Sequence, residues 1–146
     1  LMLVRCDKVL AQDPNNGAVV GYGAYALAAL GEGERTRERM ERALLVDPDN
    51  LNMRYNFACL LVIHLPDYEA ALDLLQAFFE KAAQGYLNHA LVDPDFEAIR
   101  NHPRFRAMVQ QAQDRLAREA LDSLKILGDN GRALAALAGY IIERRQ

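Results

Sequence analysis

Tryptophan is absent from this sequence of 146 residues, cysteine occurs twice, histidine three times, and neither sign of charge dominates. Each shortage removes a class of function. No apolar run approaches the ~20 residues that a membrane-spanning helix needs, and no signal-peptide pattern is present. A net charge of -3 and a pI near 5.6 provide no basic footprint for nucleic acid. Cys6 and Cys59 lie in separate apolar stretches of a chain too cysteine-poor for a disulfide framework, so both are expected as buried, reduced thiols. His64, His89 and His102 follow one another at 25 and 13 residues, which matches no helix-face metal spacing. Gly31-Glu32-Gly33 runs into Glu34 rather than a phosphate-loop Lys, and neither GxSxG nor CxxC occurs. Asp93, Asp95 and Glu97 alternate like calcium ligands but lack the glycine and terminal glutamate of the calcium loop. The expectation is a cytoplasmic chain with no catalytic, cofactor-binding or metal residues and no cofactor.

What remains is helix-forming material. Hydrophobic residues make up 51% of the chain, mostly Ala and Leu, which suits one domain of closely packed helices. The pattern predicts helices over 1–12, 17–30, 34–46, 51–64 and 68–83. On the first, Leu3, Cys6 and Leu10 form the buried face, with Met2 and Val9 beside it. Asn50 and Asp67 stand where helix N-caps belong. Beyond Gly85 come a short helix over 86–91 and a further turn over 95–100. A long helix opens at Pro103, and a last one spans 132–144. Phe105, Met108, Val109, Ala112, Leu116, Ala120 and Leu124 make one apolar stripe along the long helix. The run Glu32–Arg42 mixes charges at helical spacing and reads as a solvated face, with Glu38 and Arg42 as a helical ion pair.

The helices repeat. Asp13-Pro14-Asn15-Asn16 returns 34 residues later as Asp47-Pro48-Asp49-Asn50. In one register, small residues recur at the helix contacts: Ala24, Thr36 and Ala43, then Ala58, Ala70 and Ala77. Large ones recur beside them: Leu27 and Met40, then Leu61 and Leu74. An arginine at Ala58 or Ala70 is expected to unfold the chain. The period and these positions resemble the tetratricopeptide-repeat (TPR) family over residues 1–83. Val20, Gly23 and Arg54 depart from that family's usual residues. Gly21 and Gly23 within a helix suggest close approach of a neighbour.

The resemblance implies an all-α, right-handed α-α superhelix of TPR helix pairs with a degenerate repeat and C-terminal capping helices. The register divides the chain into a partial repeat (1–14), repeats at 15–48 and 49–84, a degenerate unit (85–128) and a capping helix (129–146). Leu1 then falls within the second helix of a unit, as in a piece of a longer protein. The third Asp-Pro arrives late, at Asp93-Pro94, 46 residues after Pro48.

In TPR proteins the first helix of each pair lines a concave groove. Carried over residue by residue, the groove here comprises Tyr22, Tyr25, Asn52, Tyr55, Asn56, Cys59 and Ile63. No Lys or Arg joins Asn56, so the family's clamp for a C-terminal carboxylate is not expected. A mostly apolar groove of this kind suits a helix, and the chain's own C-terminal helices are the expected occupants.

Two longer stretches carry a closer resemblance. They are Asp47-Pro-Asp-Asn-Leu-Asn-Met-Arg-Tyr-Asn-Phe-Ala58 and Gly85-Tyr-Leu-Asn-His-Ala-Leu-Val-Asp-Pro-Asp-Phe-Glu-Ala-Ile-Arg-Asn-His-Pro-Arg-Phe105. Over about residues 12–110 the chain resembles the C-terminal TPR region of bacterial class III adenylate/guanylate cyclase-like signalling proteins. Related tails follow some bacterial kinase and transcription-regulator domains. The resemblance implies a non-catalytic protein–protein interaction or regulatory module behind a cyclase-like domain. Its partner would be a protein or peptide, the attached domain, or a second copy in a homodimer, with no nucleic acid and no membrane. A stand-alone adaptor, or the tail of a kinase or transcription regulator, is the alternative.

Overall fold

The computed structural model describes residues 1–125 and 128–143, and their regular structure is entirely helical. In chain order the helices are α1 (Met2–Leu10), α2 (Gly17–Ala28), α3 (Gly33–Val46), α4 (Leu51–Ile63) and α5 (Tyr68–Lys81). They continue with α6 (Gln84–Val92), α7 (Pro103–Lys125) and α8 (Arg132–Glu143). Single 3-10 turns occupy Pro94–Phe96 and Gly128–Gly131. Most sequence-predicted boundaries lie within two residues of these, because local chemistry sets them.

The repeated tetrapeptide is a clasp between helices. Asn16 and Asn50 cap α2 and α4 by accepting from the backbone N–H of Val19 (3.2 Å) and Met53 (2.9 Å). Each cap amide also donates back to the Asp three residues earlier, Asn16 to Asp13 at 3.1 Å and Asn50 to Asp47 at 2.8 Å. The intervening proline removes an N–H that would continue the preceding helix. Asp, Pro and Asn therefore end one helix and start the next in four residues. Asn50→Ala removes both hydrogen bonds, and we expect it to cost about 1 kcal/mol, the usual value of an N-cap. Chemical denaturation checks this, and a midpoint unchanged by the substitution would refute the clasp.

The turn within the first pair relies on glycine. Gly31 adopts φ +75°, and the N–H groups of Glu32 and Gly31 reach the carbonyls of Leu27 and Ala28, both at 3.0 Å. This pattern closes a helix C-terminus only when a residue tolerates the left-handed region.

Helices α2 and α3 pack as a hairpin, as do α4 and α5, with α1 against α2 and α7 against α5. Helix α4 is buried nearly all round, from Met53 through Val62, so it is the centre of the core rather than an amphipathic surface helix. Ala24, Thr36, Ala43 and Ala58 have no exposed surface, and Leu27, Met40 and Leu61 are buried beside them. The Thr36 hydroxyl is satisfied by the Glu32 carbonyl at 2.9 Å. Ala70, Leu74 and Ala77 differ: they are only half-buried. A shallow groove runs past Met40, Leu44, Leu61 and Ala70, so α3 does not close over α5 there. The fully buried small residue of α5 is Ala71.

On α1, Cys6 is buried and Leu3 and Leu10 half-buried, whereas Met2 and Val9 face solvent. The charge run of α3 is also more than a solvated face. Arg37 pairs with Asp67 at 2.8 Å, and Arg39 reaches Asp7 on α1 at 2.5 Å. Gly23 makes this second contact possible, since a Cβ there would lie 2.2 Å from the Arg39 Nη1. The close approach expected at the glycines is thus by side chains, the Arg39 guanidinium at Gly23 and the Phe57 ring at Gly21. Arg42 spends a donor on the Pro14 carbonyl (2.5 Å) rather than on the expected Glu38, binding α3 to the first clasp.

After α5 the chain stops repeating. Phe96, Ile99 and Phe105 are buried and bring the late Asp-Pro turn and the start of α7 into the core. Phe105, Met108, Val109 and Ala112 of the predicted stripe are buried, Leu116 and Leu124 half-buried, and Ala120 exposed. The stripe fades because α7 outruns the helices beneath it, and α8 packs on α7.

Candidate functional site

Four of the seven predicted groove residues come together. Tyr22, Tyr25, Asn52 and Asn56 line an open groove between α2 and α4, floored by Gly21 and Phe57. Glycine at 21 keeps the α2 wall low over the buried Phe57 ring, which lies 3.7 Å from where a Cβ would stand. Tyr22 projects into solvent, whereas Tyr25 is half-buried and its hydroxyl donates to the Asn56 carbonyl. That bond ties α2 to α4 across the groove floor. Burial first, then the proximity of Cys59 and the negative charge of Asp95, pushes the Tyr25 hydroxyl well above the ordinary tyrosine range. It therefore acts as a fixed donor. The cavity volume is about 140 Å³. That is below the roughly 300–1,000 Å³ of small-molecule pockets, and it fits individual side chains of a larger partner.

Tyr55, Cys59 and Ile63 lie elsewhere. Tyr55 and Cys59 are buried, and Ile63 is exposed near the C-terminal end of α4. The Tyr55 hydroxyl donates to the Asp93 carboxylate, and its ring meets Phe78 at 5.0 Å and Phe96 at 5.2 Å. The displaced Asp93-Pro94 turn thus covers the stretch of α4 around Tyr55 and Cys59. Asp93 caps its own turn, accepting from the Asp95 N–H at 3.0 Å, and gives its other oxygen to the Tyr55 hydroxyl, where Asp13 and Asp47 hold an asparagine amide. Arg100 donates to the carbonyls of Leu91 and Asp93 and fixes the turn from behind. Burial and the hydrogen bond to Asp93 raise the Tyr55 hydroxyl, while burial, Asp93 and Asp95 raise the Cys59 thiol. Both groups stay protonated at neutral pH.

Among the described residues, the C-terminal helices do not occupy the groove as expected. α7 spends its apolar stripe on α5, and α8 follows it, so what covers part of α4 is the turn at residues 93–96. Sequence reasoning missed Asp93 and Asp95 as neighbours of α4. The late position of this Asp-Pro was the available signal, and its aromatic neighbour Phe96 the reason it folds inward.

No helix among the described residues is long and apolar enough to cross a membrane. No family model, curated protein or solved structure matches the chain.

Proposed function

We propose that the chain is a TPR-type interaction module that docks a peptide segment of a partner protein in the groove between α2 and α4. The observation that carries this reading is the open, mainly apolar groove with Tyr22 exposed on one wall and Asn52 and Asn56 on the other. Asn52 and Asn56 are one helical turn apart, and their amides can donate to and accept from a peptide backbone. Tyr22 offers an aromatic anchor of the kind that dominates interface energetics. The stacked hairpins and their 34-residue clasp support the right-handed TPR superhelix. The resemblance at Asp47–Ala58 and Gly85–Phe105 supports a place behind a cyclase-like catalytic domain of a bacterial signalling protein. There the module would regulate that domain or recruit its partners. The sequence preceding Leu1 in the gene distinguishes this from a free-standing adaptor.

Panning a displayed peptide library against the chain tests the groove. Tyr22→Ala and Asn52→Ala each remove an exposed side chain, so melting should be unaffected. Each should weaken the selected peptides about tenfold or more, the effect of losing a substantial interface contact. Peptides that bind the double variant as tightly as the parent would sink the reading.

A further inference from the structure

We propose that Cys59, His89, Asp93 and Asp95 form a binding site for a divalent transition-metal ion of the zinc class, where the displaced Asp-Pro turn meets α4. Cys59 Sγ and one carboxylate oxygen each from Asp93 and Asp95 lie within 4.8 Å of one another. His89 stands one helical turn before Asp93, with its Nε2 3.4 Å from the Asp93 carboxylate. One thiolate, one imidazole and two carboxylates match the donor types and the fourfold coordination that zinc favours. With bonds of about 2.0–2.3 Å, ligand atoms around tetrahedral zinc stand about 3.3–3.7 Å apart. The Cys59, Asp93 and Asp95 atoms therefore have to draw together by about 1.5 Å at most. Asp95 is only half-buried and the His89 side chain is 65% exposed, so the two movable ligands are also the solvent-facing ones and give an ion its way in.

Two further observations point to a cation rather than to a chance gathering. The first is charge. Asp93 is buried, Asp95 is beside it, and neither has a Lys or Arg ion pair among the described residues. Arg100 gives its Nη atoms to main-chain carbonyls, with its Nε 3.4 Å from Glu97. These two carboxylates stand beside Cys59 with charge that a metal ion would neutralise. The second is support. Asp93 is already held by the Tyr55 hydroxyl and the Asp95 N–H, the outer-shell hydrogen bonding that orients ligating carboxylates. On binding, the Cys59 S–H bond breaks, its proton passes to buffer, and a sulfur–metal bond forms with no change of oxidation state. The sequence hid the site because its ligands lie at 59, 89, 93 and 95, outside any short motif.

Titration of the chelator-stripped full chain with cobalt(II) tests the site. The expected result is a thiolate-to-cobalt band in the near ultraviolet with intense visible bands of four-coordinate cobalt, all abolished by zinc. Cys59→Ser should eliminate the ultraviolet band. Asp95→Asn changes a half-exposed residue and should leave the fold intact, while weakening cobalt about tenfold or more. Tyr55→Phe keeps the ring and should cost about tenfold through the outer shell. A weak six-coordinate spectrum would overturn the proposal. So would an ultraviolet band that persists in Cys59→Ser, or parental affinity in a folded Asp95→Asn chain.

Discussion

Ala58→Arg is expected to abolish the folded state. Ala58 has no exposed surface and sits in the middle of α4, the helix enclosed by the rest of the core. An arginine there must either bury its guanidinium without a partner or force α4 and α5 apart. The combined cost of overpacking and an unpaired buried charge is on the order of 4–5 kcal/mol or more. Total stability for a domain of this size is about 5–15 kcal/mol, so the loss equals or exceeds the lower end of that range. Circular dichroism should show most helicity lost at room temperature. A cooperative melt within a few degrees of the parent would mean that α4 is not the centre of the core.

The same substitution at Ala70 is the informative control. The repeat register treats Ala58 and Ala70 alike, but Ala70 is half-buried beside the groove between α3 and α5. An arginine there can lay its stem along that groove and keep its head in water near Asp73. We expect a cooperative melt for Ala70→Arg, separating the two positions that sequence alone could not separate.

The reason for that difference describes how far the sequence could be read. Asp13, Asn16, Asp47 and Asn50 were legible because a capping clasp is completed within four residues. The helices followed, since the stop and start signals are local and the apolar spacing lies between them. Ala24, Thr36, Ala43 and Ala58 were legible because the two helices of a hairpin are neighbours in sequence. Ala70 was not, because its burial depends on how closely α3 approaches α5. The groove was half legible for the same reason. Tyr22, Tyr25, Asn52 and Asn56 face each other as the register requires. Tyr55 and Cys59 are claimed by a segment that returns from 30 or more residues later, and no spacing rule anticipates that return.

Phe96 is the residue on which that return depends, and Phe96→Ala should destabilise the chain by roughly 3–5 kcal/mol. Its ring is fully buried, 5.2 Å from Tyr55 on α4 and 6.0 Å from Phe105 on α7. It therefore joins the centre of the core to the first turn of the long helix. Removing it leaves a ring-sized void between elements that are not adjacent in sequence and cannot collapse together without moving the Asp93 turn. At about 2–4 °C per kcal/mol, the melting midpoint should fall on the order of 10 °C. The loss should also be uneven. Amides of α6 and of residues 93–101 should exchange faster, while those of α2 and α3, held by their own clasp and by Arg39, keep their protection. Hydrogen exchange that accelerates uniformly would show a single cooperative unit. A loss below about 1 kcal/mol would show that the turn is held by Asp93 and Arg100 alone. With the turn loosened, Tyr55 and Cys59 become accessible on α4.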